Sequence, residues 1–162
     1  PEEQSEKSIT EMLNQLEGYS IKLGIENGQN LSEFAAFVDK IGSDRFGMVV
    51  DIGHTRDEDE INPFTKNDRA RETMAQCGDR LIHLHLHDWV GSDHFSPLDG
   101  SIEWAEVFAA FKDIHYSGYF MFEAVYPPMK DGQRGKREPE PEYVVDKVAS
   151  FPEAFVERYS IG

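Results

Sequence analysis

The sequence predicts an α/β fold built on a parallel sheet. Two observations carry this expectation. Short apolar runs near 21–26, 48–52, 81–87 and 119–123 alternate with stretches of helical spacing, and strands that alternate with helices pair in parallel through crossovers. Successive strands start roughly 25–38 residues apart, enough for one helix between each pair.

In chain order, Ile9, Met12, Leu13 and Leu16 form a helical stripe within residues 1–18, with Ser5 or Ser8 as its cap and Gly18 as its stop. Ile21 to Glu26 alternates as a strand does. Ser32 is the expected cap of a helix through Phe34, Phe37, Val38 and Ile41, closed by Gly42. Met48 to Ile52 is almost continuously apolar, as in a strand buried on both faces. A polar, acidic loop from Arg56 to Asn62 leads to a helix around 68–76, and Leu81 to His87 is the third strand. A loop through Pro97 and Gly100 precedes a helix from about 102 to 114, and Tyr119 to Glu123 is the fourth strand. Residues 127–141, rich in Pro, Gly and charge, form a long loop before a last helix over 142–159. No composition shift divides the chain, so residues 1–162 are expected to form one domain.

Composition narrows the function classes. With 39% hydrophobic residues, the 162-residue chain can bury a core and is not a disordered acidic tail. A net charge of −15 opposes binding to nucleic acid, where affinity depends on Lys and Arg displacing counterions, and opposes an anionic membrane surface. No apolar run approaches the ~18 residues that a membrane span needs. Cys77 is the only cysteine, which excludes an internal disulfide and fits a cytoplasmic setting.

Each predicted strand ends in a potential metal ligand or acid–base group: Glu26; Asp51, then His54; His83, His85 and His87, then Asp88; and Glu123. The carboxyl ends of parallel strands face a shared crevice. Carboxylates gathered there repel one another and are costly to desolvate, and a divalent cation relieves both costs. The mixed oxygen and nitrogen set suits Mn²⁺, Mg²⁺, Co²⁺ or Zn²⁺, while the lack of a Cys pair rules out a thiolate zinc site. Alternation puts His83, His85 and His87 on one strand face and Leu84 and Leu86 on the other. His85 is the expected ligand, His83 a deeper supporting residue, and His87 an edge residue in contact with solvent or substrate. A single Glu at a strand end is usually a solvated loop residue. Four such groups at matching positions are not readily accidental. Trp104 and Trp89 suit packing, and Trp89, directly after Asp88 at the mouth, also suits a stacking platform. The acidic run Asp57 to Glu60 fits a solvated loop, and His115 a structural turn.

Gly24-Ile25-Glu26-Asn27, Asp51-Ile52-Gly53-His54, His83-Leu84-His85-Leu86-His87-Asp88, Asp93-His94 ahead of Pro97-Leu98-Asp99-Gly100, and Gly118 to Glu123 together resemble the second half of the xylose isomerase-like TIM barrels. That superfamily contains sugar isomerases, ketose 3-epimerases, inosose dehydratases and the second family of apurinic endonucleases. The resemblance implies a (β/α)8 barrel, of which this chain carries about four C-terminal β/α units. It implies one divalent ion held by Glu26, Asp51, His85 and Glu123, with His54 contacting substrate. His94 matches a histidine that the endonucleases use, and those enzymes bind an additional zinc through the residue matching His54. Val90 and Gly91 stand where the epimerases carry a substrate-binding Arg.

The leading functional expectation is a sugar or polyol isomerase or epimerase. Glu26 and Glu123 would remove and return a proton beside a carbonyl through an enediolate, with His54, Asp88, Trp89 and His94 around the substrate. A dehydratase would share the first step. Two alternatives stand beside this: a zinc phosphodiesterase of the apurinic endonuclease type, and a non-catalytic half-barrel module. A chain that opens on Pro1 and holds four strands is expected to be a fragment, or to pair with a missing N-terminal half or with a second copy of itself.

Overall fold

The structure, a computed structural model, describes residues 2–26, 30–57, 59–65, 69–92, 94–126 and 140–159. The elements run α1 (Glu2–Gln15), β1 (Leu23–Glu26), α2 (Leu31–Ile41), β2 (Phe46–Asp51), α3 (Arg69–Ala75), β3 (Leu81–Leu86), α4 (Trp104–Asp113), β4 (Phe120–Phe122), α5 (Pro141–Ala149) and α6 (Phe151–Tyr159), with short 3-10 turns at Pro63–Thr65 and Gly78–Arg80. The four strands pair in parallel in the order β1-β2-β3-β4. This is the expected α/β architecture and corresponds to part of a TIM barrel.

Alternation along the strands sorts the two faces. Met48, Val50, Leu84 and Leu86 are fully buried against the helices. There they join Ala35 and Val38 of α2, Ala70 and Met74 of α3, and Trp104, Val107 and Phe111 of α4 in one core. Phe120 and Phe122 close the far side of the core against Phe108, Phe111, Trp104 and Phe151, with ring centroids 5.0–6.2 Å apart. A fully buried aromatic such as Trp104 contributes about 1.5–3 kcal/mol or more by burial, whereas Phe120, 43% exposed, contributes less. The opposite sheet face carries Glu26, Asp51, His83 and His85 and is more open, and Met121 there is 49% exposed.

Local chemistry moves several boundaries. α1 already runs from Glu2, so Ser5 and Ser8 lie within it rather than capping it. α2 is capped by Asn30, whose side-chain oxygen accepts from the Ser32 amide at 3.1 Å, and not by Ser32. Gly42, at φ 63°, ends α2 as expected by donating to Val38 O. The last helix is two helices, divided at Ser150. Pro152 lacks an N–H and fits the first turn of a new helix, not the interior of a continuous one. Asp68 and residues 127–139 of the expected long loop lie outside the described residues. Among the described residues, no helix is long and apolar enough to cross a membrane.

Cys77 is fully buried, and desolvation pushes its thiol up to about 12. The native protein should therefore resist iodoacetamide at pH 8 and react once denatured, as followed by intact mass. Rapid alkylation of the folded chain would contradict this burial.

Candidate metal centre

The register of the sheet brings the strand ends together. Glu26 is level with Val49, Asp51 is level with His85, and His85 is level with Met121, two residues before Glu123. The four groups thus climb the sheet diagonally, and the stagger of a barrel sheet sets them side by side. One donor atom from each of Glu26, Asp51, His85 and Glu123 lies within 4.8 Å of every other.

Asp51 is the best-fixed member. It is fully buried, and its Oδ1 accepts from the backbone N–H groups of Gly53 at 2.8 Å and His54 at 3.0 Å. His87 Nε2 lies 2.8 Å from the same oxygen. Burial pushes the carboxyl up, but the His87 contact and the neighbouring imidazoles outweigh it and hold the carboxyl below its usual range. Asn62, a buried amide that the sequence pattern did not single out, donates to Ile52 O and Gly53 O and accepts from Phe64 N. It thereby fixes the loop that carries His54.

His85 sits between two carboxylates, with Nδ1 3.2 Å from Glu26 Oε1 and 3.1 Å from Glu123 Oε2. One ring hydrogen cannot serve both, and Glu123 Oε2 is buried without a hydrogen bond among the described residues. A cation coordinated by one imidazole and three carboxylates would fill this arrangement, and the donor set fits a hard or borderline divalent ion. Glu26 and Glu123 remain 43% and 44% exposed, so both can reach a ligand at the mouth. His83 packs edge-on against the His85 ring at 5.4 Å and supports it from below.

His54 lies at the rim of the centre, with Nδ1 3.4 Å from Asp51 Oδ2 and 3.8 Å from Glu26 Oε1. His94 Nε2 lies 3.9 Å from Glu123 Oε1, and its ring stacks on His87 at 4.4 Å. His54, His87 and His94 also group within metal-ligand distance of one another. However, the backbone N–H of His94 donates to His87 Nδ1 at 2.8 Å, and His87 Nε2 faces Asp51. The Nδ1 lone pair of His87 is thus already engaged.

Three residues have surroundings that the sequence pattern did not show. His87 is not an edge residue in contact with solvent: β3 ends at Leu86, and the His87 ring is fully buried. Asp88, expected beside the substrate, is drawn into the core. It is fully buried, its Oδ1 accepts from Trp89 N and Ile102 N, and its Oδ2 accepts from the Trp104 indole. Trp89 is half-buried, and the Arg56 guanidinium covers one ring face at 4.0 Å, so that face is not a free stacking platform.

Residues 2–151 match the family described as the xylose isomerase-like TIM barrel. This chain belongs to that family. The D-psicose 3-epimerase of Enterocloster bolteae is 34% identical over 113 residues, an overlap covering 70% of this chain and 32% of that enzyme. The xylose isomerase-like chain therefore spans about a third of that relative's length. Among solved structures, the 3-keto-D-glucoside 4-epimerase of E. coli matches with a TM-score of 0.68 at 14% identity, over 94% of this chain and 53% of that one. The IolI protein, solved with a zinc atom bound, matches with a TM-score of 0.61 at 16% identity, over 96% of this chain and 55% of that one. At such identities these two structures speak for the fold alone.

Proposed function

We propose that this chain carries the metal-binding and proton-transfer part of a divalent-metal-dependent sugar epimerase or isomerase. The convergence of Glu26, Asp51, His85 and Glu123 on one point carries the proposal. Similarity to a D-psicose 3-epimerase favours a ketose substrate. An ion held by these four residues would polarise a substrate carbonyl and acidify the neighbouring C–H.

The residues of the chain supply the remaining steps. Glu26 on β1 and Glu123 on β4 flank the site from opposite sides. One carboxylate takes the proton from the carbon beside the carbonyl, and the C–H electron pair passes into an enediolate. The other returns a proton to the opposite face of that carbon, which inverts it. His54, at the rim, is placed to hydrogen-bond a substrate oxygen, and His94 takes a similar place beside Glu123.

Elemental analysis with an exchange assay tests this proposal. The purified protein is expected to bind about one Mn²⁺, Co²⁺ or Zn²⁺ per site, lost in Asp51→Ala, and to wash deuterium into a ketose beside the carbonyl. Absence of both bound metal and exchange would remove the proposal.

A further inference from the structure

We propose that His87 is a positioning residue for Asp51: held as the neutral imidazole with its proton on Nε2, it sets that N–H against Asp51 Oδ1 and so restrains the carboxylate beside Glu26, His85 and Glu123. This deepens the metal-centre reading and rests on it.

The tautomer follows from hydrogen-bond chemistry. A backbone N–H can only donate, and that of His94 points at His87 Nδ1 from 2.8 Å. Nδ1 must therefore offer its lone pair, and the ring proton falls on Nε2. The Asp88 carbonyl also lies near Nδ1, at a longer 3.3 Å, and would favour the opposite tautomer. That tautomer would set the Nδ1 proton against the His94 amide proton, so the shorter contact decides. The Nε2 proton then faces Asp51 Oδ1 at 2.8 Å.

Three features hold the ring there. Its side chain is fully buried. The His94 ring stacks on it with planes 10° apart, and His94 itself adopts φ 64°, a left-handed backbone that His, like Asn and Asp, takes more readily than most residues. Gly53 leaves it room, since a Cβ at that position would lie 1.6 Å from His87 Cε1. Asp51 Oδ1 thus receives two backbone donors from its own loop and has His87 Nε2 packed against it at 2.8 Å, a contact outside hydrogen-bond geometry. The two backbone donors come with the β2 loop. The His87 contact ties the carboxylate to the end of β3, where His85 sits, and so restrains one proposed ligand relative to another. Groups that orient a metal ligand in this way typically change metal affinity by about 10–100-fold when removed.

The first test needs no variant. In ¹⁵N-labelled, metal-free protein, two- and three-bond imidazole correlations are expected to show one histidine with a protonated Nε2 and a bare Nδ1, assigned by its loss in His87→Gln. A protonated Nδ1, or a charged ring, at that residue overturns the proposal. The second test is calorimetric Mn²⁺ titration of the parent, His87→Leu and His87→Gln, with folding checked by near-UV circular dichroism. The Leu variant is expected to bind about 10–100-fold more weakly, and the Gln variant, whose amide can supply an N–H near the Nε2 position, to recover most of that loss. Unchanged binding in folded His87→Leu, or an equal loss in both variants, overturns the positioning role. If the parent takes up no Mn²⁺, the proposed function fails, and the tautomer measurement decides the His87 proposal by itself.

Discussion

Changing Glu123 to Gln is expected to lower kcat by about 10²–10⁴-fold while leaving the fold intact, the range that a positioned general acid or base contributes. The fold should tolerate the change because the side chain is half-exposed and its contacts, His85 and His94, belong to the site. The link from Glu123 to β3 is its backbone N–H to Leu86 O, which does not depend on the side chain. The amide keeps the shape but can neither take a proton nor carry a charge. Metal affinity should fall as well, so rates must be compared at verified full occupancy. Parent-like turnover at full occupancy would remove Glu123 from proton transfer.

The placement of Glu26 and Glu123 makes the prediction sharper. Both lie near His85 Nδ1, but from strands at opposite edges of the sheet. Two bases on opposite sides imply that each serves one epimer. Glu26→Gln should then keep deuterium exchange into one epimer through Glu123, and Glu123→Gln should keep exchange into the other. Neither variant should interconvert the two. If one variant lost exchange with both epimers and the other lost none, a single base would be at work.

The gathering of Glu26, Asp51 and His85 on one face was legible in the sequence because strands impose a period of two. Once Ile25, Val50 and Leu84 are assigned to the helix side, Glu26, Asp51 and His85 must face the other way. The same rule put His87 on the face of His83 and His85, where it lies against Asp51 and His54, but it did not show that the ring is buried, and it made no assignment for Asp88. The strand ends at Leu86, and beyond it alternation carries no information about burial. Those two residues turn inward because each finds partners there that water would otherwise have to supply: Asp51 and the His94 amide for His87, and Trp89, Ile102 and Trp104 for Asp88. Apart from the adjacent Trp89 amide, these pairings join positions 7–36 residues apart and leave no periodic trace. The break between α5 and α6 did have a local signal in Pro152, whereas the Asn30 cap lay two residues from an equally plausible Ser32.

Asp88→Ala is expected to destabilise the fold by about 3–5 kcal/mol, from several buried donors that each cost ~1–3 kcal/mol when left without an acceptor, less some relaxation. The carboxylate stitches the end of β3 to the start of α4 through the Trp89 and Ile102 amides and the Trp104 indole. Space around it is tight, since a Cβ on Gly100 would lie 2.2 Å from Asp88 Oδ1. Trp104 is itself fully buried, so water cannot replace the lost acceptor without opening the core. Asp88→Asn should cost less, because one oxygen is retained while the new NH₂ opposes a donor. The two variants also separate by pH. Burial pushes the Asp88 carboxyl up, and the hydrogen bonds from Trp104, Ile102, Trp89 and Gly100 only partly offset it. A raised folded value means that this group's stabilisation is full below the ordinary carboxylate range and declines as pH rises through the folded value. The parent's margin over Asp88→Asn should therefore narrow from acid to neutral pH, measured by urea unfolding. An Asp88→Ala protein as stable as the parent would mean that these donors find other acceptors and that Asp88 is free to serve the mouth of the site.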